Sequence, residues 1–393
     1  MKIVNLEKQH RDGLIRASAT VEFEDCNQPS KEIFIETEGR FEKDFTPNPH
    51  AFAVGCIIPA LYFQEQRLAM EEAICPRLKE GLETVMAIMH HWTKGEFKPL
   101  VLDLSLTRSA LFEKKKRHAS IFLSGGMDSL AALKRLKDDF APTHPGYPKD
   151  ALLIHGFDIG GVLERGAKYH VFERAKKAML PVAGEAGLDL IPVYTNIRHL
   201  CDDRDLWLNQ FFGAVLAASV HAFAPRINLA WLASSFDIPS LHPCGSHPLL
   251  DPEYGSFDLE IRHRDAGLSR MEKLRIVSKW DVAFQHFRVC LANVPDQLNC
   301  GRCEKCVRTM LELEALKLLN KTAAFEDDAV DPSWLDAFSI TIRGRESFYE
   351  ELIEPLTRVG RTDLSEKILY KLDEDLSENQ GLPSASDKDY AES

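Results

Sequence analysis

The stretch from Ala119 to Leu136 reads ASIFLSGGMDSLAALKRL, and it decides the fold. A short apolar run typical of a buried strand leads through Ser-Gly-Gly directly into apolar residues at helical spacing. The same order of strand and helix recurs at 151–157 with 169–183, at 189–194 with 209–223, and again in the strand-like run 227–232. This alternation predicts an α/β fold with a doubly wound parallel sheet, whose ligands bind at the carboxyl ends of the strands.

The turn inside this stretch has the composition of an anion-binding loop. Adjacent glycines let backbone N–H groups approach an anion, and the start of the following helix adds free N–H groups and a favourable dipole. The chain contains neither a Gly-Lys-Ser/Thr phosphate loop nor a Gly-x-Gly-x-x-Gly fingerprint. An ordinary tight turn between strand and helix is the alternative. The candidate binding residues are Ser124, Gly125, Gly126, Met127, Asp128 and Ser129.

Composition and charge predict a soluble globular protein of about two or three domains. The 393 residues are 45% hydrophobic and 27% charged, with a formal net charge of −12 that argues against broad binding to nucleic acid or anionic membranes. Residues 1–16 lack the apolar core of a secretory signal, and no apolar run approaches the roughly 20 residues that span a bilayer. We therefore expect a cytoplasmic protein without a membrane partner.

Four of the nine cysteines are spaced as metal ligands. Cys290, Cys300, Cys303 and Cys306 follow the pattern C-x9-C-x2-C-x2-C, which suits tetrahedral zinc. The bacterial iron–sulfur pattern requires a further Cys-Pro after the third close cysteine, and Met310-Leu311 stands there instead. A catalytic or disulfide-forming cluster is the alternative. Four thiolates leave no open position on zinc, so the expected role of the metal is structural.

The loop Ser-Gly-Gly-x-Asp-Ser on a strand, turn and helix resembles the signature of the PP-loop ATP pyrophosphatases. Within that group, the 7-cyano-7-deazaguanine synthases combine this loop with a Cys followed by Cys-Gly-x-Cys-x-x-Cys, as this chain does at 290–306. Phe157-Asp158-Ile159-Gly160 is similar to that family's Phe-Asp-Tyr-Gly segment, and 268–273 is similar to its Leu-Thr-Lys-x-Glu segment, with Arg270 replacing the lysine. The resemblance covers about half of the chain, from residue 120 to 310.

The resemblance implies cleavage of ATP between its α and β phosphates, so that a carboxylate substrate becomes an adenylate. Asp128 would position Mg²⁺, Ser129 would bind phosphate, and Arg270 would stabilise the transferred charge, while Phe157 and Asp158 would border the nucleotide. Ammonia or another amine then displaces AMP and forms an amide, and a nitrile requires a second activation. The expected substrate is a carboxylate, with a deazapurine acid as one candidate.

Two rival functions remain open at this point. An RNA thiolation enzyme would adenylate a base carbonyl and use a persulfide-carrying cysteine, for which Cys244 is the candidate. A non-catalytic nucleotide-sensing module stabilised by zinc would keep the loop without hydrolysing ATP. The segment 241–252, rich in His and Pro, is predicted to line the substrate pocket through Ser246 and His247; a surface connector is one alternative, and a metal site of His242, Cys244 and His247 is another.

Four regions are predicted along the chain: an N-terminal α+β domain (1–115), a nucleotide-binding α/β domain (116–285), the zinc site with C-terminal helices (286–372), and a disordered acidic tail (373–393). The first is expected to hold an antiparallel strand pair, a proline-broken segment and a helical stretch, at 14–41, 48–59 and 61–92. The sequence of this N-terminal domain contains no motif that indicates a reaction. The domain is the candidate surface for a homo-oligomer or protein partner. The basic run 114–118 is expected to be a solvated linker rather than a nuclear-localisation or nucleic-acid signal.

Overall fold

The computed structural model describes residues 1–107, 118–157, 159, 168–294, 296–341 and 345–379. Ten strands form one sheet: β1 Lys2–Arg11, β2 Leu14–Glu22, β3 Lys31–Glu38, β4 Arg67–Ile74, β5 Val101–Leu106, β6 His118–Phe122, β7 Pro148–His155, β8 Asp189–Thr195, β9 Ile227–Ala233 and β10 Glu260–Arg264. Their order across the sheet is β10-β9-β6-β7-β8-β3-β2-β1-β4-β5. Pairing is parallel throughout β10-β9-β6-β7-β8 and mixed in the rest. The protein is therefore α/β with a mostly parallel sheet, as predicted.

Helices connect and cover the strands: α1 Pro49–Tyr62, α2 Pro76–Trp92, α3 Met127–Asp139, α4 Tyr169–Glu185, α5 Arg204–Leu206, α6 Phe212–His221, α7 Arg270–Val277, α8 Asp281–His286, α9 Glu304–Ala315, α10 Glu346–Arg358 and α11 Thr362–Asn379. A π-helical stretch, Trp207–Phe211, joins α5 to α6. Within the described ranges, every helix is too short or too polar to traverse a lipid bilayer.

The central parallel strands β6, β7 and β8 bury both of their faces. In β7, Leu152 and Ile154 belong to a core shared with α1, α2 and α6, while Ala151 and Leu153 belong to a second core with α3, α4 and α7. Alternate side chains thus enter the two cores, because successive residues of a strand point to opposite faces. Such strands read as continuous apolar runs, which is why the sequence predicts them well.

The N-terminal region differs from the prediction in four elements. The segment expected to be broken by prolines is the helix α1, with Pro49 in its first turn and Pro59 near its end. The strand β4 lies inside the stretch expected to be helical, and the strands β1 and β5 were not predicted. The predicted antiparallel pair is present as β2 and β3. Because β3 also pairs with β8, the N-terminal strands extend the same sheet rather than forming a separate one.

The C-terminal helices continue further than the sequence suggested. Helix α11 includes residues 373–379, which were assigned to the disordered tail. Asp375 anchors it, because this carboxylate accepts hydrogen bonds from the backbone N–H of Ile340 at 2.6 Å and from the hydroxyl of Ser339 at 2.7 Å. Residues 380–393, and residues 114–117 of the basic run, lie outside the described residues.

Candidate functional site

The predicted anion loop follows β6 and leads into α3. Gly125 has a φ of +80°, which favours glycine, and its carbonyl oxygen accepts a hydrogen bond of 2.9 Å from the backbone N–H of Arg288. A Cβ at this position would also meet the side chain of Met179 at 3.1 Å. Gly126 occupies the N-cap of α3, and no side chain caps the first turn. The turn therefore leaves helix N–H groups available to an anion.

Two hydroxyl groups close the loop on itself. The hydroxyl of Ser129 donates to the carbonyl oxygen of Gly126 at 2.9 Å, and the backbone N–H of Gly126 donates to the hydroxyl of Ser124 at 3.3 Å. The two serine oxygens lie 3.3 Å apart. Both side chains line the cavity described below, so they are placed to contact a ligand held by the loop.

Asp128 on the first turn of α3 faces two cations. Its carboxylate oxygens lie 3.4 Å from the guanidinium of Arg270 and 3.4 Å from the ammonium group of Lys273. Burial alone would raise the pKa of Asp128, but the charges of Lys273 and Arg270 outweigh it and hold that pKa below its ordinary value. Asp128 is therefore ionised at neutral pH, and its side chain remains 26% exposed toward the cavity.

A cavity of about 380 Å³ opens at the carboxyl ends of β6, β7 and β9. Its volume falls in the range of small-molecule sites. Asp128 is the one acidic side chain among the described residues that line it. Five cationic side chains line it as well: Arg270, Arg288, Lys305, Arg308 and Arg345. This chain of net charge −12 thus concentrates positive charge around one cavity, which suits a polyanionic ligand.

Two buried carboxylates hold several of these cations in place. Glu312, with a side chain 1% exposed, lies 3.3 Å from Arg270 and 3.8 Å from Arg308. Glu304 accepts hydrogen bonds from Arg308 at 2.8 Å and from Arg345 at 2.9 Å. Because an unpaired buried charge is costly, each carboxylate stabilises the guanidinium groups at the edge of the cavity. Burial raises the pKa of Glu312 despite the neighbouring arginines.

The remaining wall of the cavity is largely apolar and aromatic. Phe157, predicted to border a nucleotide, lines it and packs edge-on against Trp207 with ring centroids 4.7 Å apart. Trp207 belongs to the π-helical stretch, a feature found frequently at functional sites. Asp158, the other residue predicted there, lies outside the described residues.

The His- and Pro-rich segment contributes one of its two predicted substrate residues to this cavity. Ser246 lines it, whereas His247 packs against Trp92 with ring centroids 5.1 Å apart and does not line it. His242 and Cys244 line the cavity too. Burial raises the pKa of the Cys244 thiol, which disfavours its nucleophilic thiolate form.

The four predicted metal ligands converge. The sulfur atoms of Cys290, Cys300, Cys303 and Cys306 all lie within 4.8 Å of one another. The Cys300 and Cys306 sulfurs are 3.8 Å apart and the Cys303 and Cys290 sulfurs 4.0 Å apart. A tetrahedron with metal–sulfur bonds of about 2.3 Å has edges of about 3.8 Å, so the cluster fits a metal ion such as zinc. Among the described residues, no other histidine, cysteine or carboxylate group of this kind occurs, so His242, Cys244 and His247 do not form the alternative metal site.

The cysteine cluster and the cavity share the same chain segments. Arg288 precedes Cys290 by two residues, Lys305 lies between Cys303 and Cys306, and α9 carries Arg308 one half-turn beyond the last ligand. Backbone N–H groups of residues 302 and 303 donate to the sulfur of Cys300, and Gly301 with a φ of +68° permits this turn. A metal ion held here would therefore fix the backbone from which three of the five cations project.

Sequence reasoning singled out Arg270 but missed three other cations that line the cavity, Arg288, Lys305 and Arg345, and also Lys273 beside Asp128. Lys305 lies within the predicted cysteine motif, so that motif contained a signal for it. Compared with models of protein families, with curated proteins and with solved structures, the chain gives no match.

Proposed function

We propose that this protein is an ATP-dependent ligase of the PP-loop type. It adenylates a carboxylate, releases pyrophosphate, and then forms an amide, or after a second activation a nitrile, with ammonia or another amine. The observation that carries this proposal is the Ser124–Ser129 loop opening into a cavity that the described part of the chain lines with five cationic side chains and one carboxylate. That arrangement matches a triphosphate bound with a divalent cation.

Each group has a place in this scheme. The loop N–H groups and the Ser124 and Ser129 hydroxyls would hold the β and γ phosphates, the part of ATP that leaves as pyrophosphate. Asp128 supplies the ionised oxygen ligand that Mg²⁺ prefers, and a bound Mg²⁺ would neutralise the departing charge. Arg270 is held beside Asp128 by Glu312 and would face the same phosphates. The aromatic wall leaves room for the adenylate.

The test is product analysis with ATP, Mg²⁺ and a panel of carboxylic acids. We expect AMP and pyrophosphate in equal amounts, released only with a suitable acid, and a loss of about 100-fold or more in Asp128→Ala. Asp138→Ala is the matched control, since Asp138 lies on the same helix and pairs only at the surface with Lys134. Formation of ADP and phosphate, or equal AMP release by Asp128→Ala, would contradict the proposal.

RNA thiolation is the second candidate, because Cys244 does line the cavity. Its raised pKa and its contact with the carbonyl oxygen of Leu208, at 3.6 Å, favour a protonated and inert thiol. Cys244→Ser separates the two functions: a ligase retains adenylation and amide formation, whereas a persulfide-dependent enzyme loses sulfur transfer entirely.

A further inference from the structure

Three side chains of the segment 241–246 reach the cavity. His242, Cys244 and Ser246 line it. Between them, Gly245 is fixed: its N–H donates to the carbonyl oxygen of Leu208 at 2.9 Å, and its own carbonyl accepts from the N–H of Gly213 at 2.8 Å. The segment is therefore anchored on the π-helical stretch and α6.

The hydroxyl group of Ser246 donates a hydrogen bond to Asp251. Its hydroxyl lies 2.7 Å from a carboxylate oxygen of Asp251, and the same oxygen lies 2.7 Å from Nδ1 of His263 on β10. The side chains of Asp251 and His263 are 1% and 5% exposed. Because a carboxylate accepts and the hydroxyl must donate to it, the lone pairs of the Ser246 oxygen remain for a ligand in the cavity.

His242 likewise uses one of its polar atoms in a hydrogen bond within the protein. Its Nδ1 lies 3.0 Å from the carbonyl oxygen of Ser240, and a carbonyl oxygen only accepts, so Nδ1 carries the proton. In this tautomer the ring's lone pair is on Nε2. The ring packs edge-on against Phe236, with centroids 4.3 Å apart, which restricts its orientation. His242 thus presents a hydrogen-bond acceptor that is also a base.

We propose that His242 and Ser246 form the subsite for the amine substrate, with His242 as the general base. Two acceptors on one segment suit an N–H donor, whereas the five cations elsewhere in the cavity suit phosphate and carboxylate. This inference rests on the proposed function, because the amine needs an acyl adenylate to attack.

In this step the amine attacks the acyl adenylate and displaces AMP. The amine nitrogen forms a C–N bond to the acyl carbon, the C–O bond to the phosphate of AMP breaks, and AMP leaves with the electron pair. The proton that the nitrogen loses passes to Nε2 of His242. Ser246 accepts the second N–H of the amine and orients its lone pair toward the acyl carbon.

Amine binding is tested without any acid by ¹⁵N spectroscopy of histidine-labelled full-length protein. We expect the His242 ring, assigned by His242→Gln, to show the Nδ1–H tautomer and its Nε2 signal to shift as methylamine is added. Ser246→Ala should weaken this binding about fivefold, since it removes one hydrogen bond. His286 is the internal control, because its Nδ1 also faces a carbonyl oxygen, that of Val282 at 2.8 Å, but it does not line the cavity.

Turnover supplies the second readout, using the acid that gives pyrophosphate release. The ratio of methylamide formation to pyrophosphate–ATP exchange should fall about 100-fold in His242→Gln and remain at the wild-type value in His286→Gln. Hydroxylamine, which attacks acyl adenylates without enzymatic help, should still trap the acyl group in His242→Gln.

The outcomes separate the two proposals. A His242 signal unmoved by methylamine, or an unchanged ratio in His242→Gln, overturns the amine subsite while the ligase remains supported by hydroxamate formation. Absence of hydroxamate and of exchange with every acid overturns the ligase, and methylamine binding then shows an amine site that serves another reaction.

Discussion

The two halves of the sheet differ in their relation to the cavity. Every described side chain that lines the cavity lies between Phe122 and Phe348, and none comes from residues 1–107. The strands β6 to β10 run parallel, so their carboxyl ends and the following loops meet at one edge. The strands β1 to β5 are mixed in direction, and no such common edge of loops exists there.

The N-terminal half nevertheless contacts the elements that shape the cavity. Its α1 packs on α6, which follows the π-helical stretch, and its α2 packs on the 251–254 turn that carries Asp251. Asn48 donates from its side-chain amide to the carbonyl oxygen of His221 at 2.8 Å. One half therefore carries the side chains that line the cavity, and the other half stabilises the backbone behind them.

Loss of the metal centre should produce the largest effect and should be confined to the half that carries the cavity. In Cys303→Ser we expect loss of bound zinc and a fall of about 5 kcal/mol or more in the free energy of unfolding, because metal binding contributes directly to folding. Pyrophosphate affinity should fall as well, since Lys305 and Arg308 project from the same segment. Elemental analysis, thermal unfolding and pyrophosphate titration measure these effects.

Cys26→Ser is the matched control, because Cys26 is a partly exposed cysteine of the N-terminal half outside the cluster. It should retain one metal ion and full stability. Stoichiometric zinc in Cys303→Ser would show that the cluster is not the metal centre.

The same division explains what the sequence could predict. Strands buried on both faces read as continuous apolar runs, and short cysteine spacings reflect local geometry, so β6 to β9 and the convergence of the four cysteines were predicted. Helix α1 is buried around most of its surface and has no polar stripe that would reveal a helical period. Its prolines were the most visible local signal, and they led to the wrong prediction of a broken segment. Strand β10, with the sequence EIRHR, has one buried residue and no strand-like alternation.

The cationic cavity could not be read from local patterns. Arg270, Arg288 and Arg345 come from separate segments, and an arginine beside a cavity has the same sequence context as one on the surface. The convergence of Arg270, Arg308 and Arg345 depends on tertiary packing against Glu304 and Glu312, which no spacing rule describes. The pairing of Ser246, Asp251 and His263 likewise depends on β10, a strand that was not predicted.

The packing of α2 against the 251–254 turn gives the next largest effect. A Cβ at Gly81 would overlap the carbonyl oxygen of Glu253, so Gly81→Ala should destabilise the protein by about 2–3 kcal/mol. Gly184→Ala in α4 is the control, because nothing lies within 4 Å of a Cβ there, and it should be neutral or stabilising by up to about 1 kcal/mol. Urea unfolding measures both, and equal stability of the two variants would contradict the packing.

Two buried histidines between the halves should make stability depend on pH. Burial, with a smaller contribution from the charge of His221, lowers the pKa of His50 to about 3, and burial lowers the pKa of His221 to about 4. Below about pH 6.5 the unfolded state binds protons that the folded state does not, so stability falls as pH falls, by about 1.4 kcal/mol per pH unit for each histidine.

The variant His221→Gln removes one of these contributions while keeping a donor for the carbonyl oxygen of Tyr254. Between pH 6 and pH 4.5, its free energy of unfolding should therefore decline less steeply than that of the wild type, by about 1.4 kcal/mol per pH unit. Chemical unfolding at several pH values measures the two slopes, and parallel slopes would show that His221 is protonated in the folded state.

The smallest effect is expected at an ion pair that spans the two halves at the surface. Lys176 on α4 lies 2.8 Å from Glu38 on β3, and although burial opposes it, this charge together with that of Arg40 keeps the pKa of Glu38 below its ordinary value. Because both side chains remain partly exposed, Lys176→Gln should cost only about 0.5 kcal/mol. A double-mutant cycle with Glu38→Gln, repeated in 1 M salt, isolates the pair, and the coupling should shrink as salt screens it. A coupling above about 2 kcal/mol would show that the halves are joined by surface charge as well as by the continuous sheet and its cores.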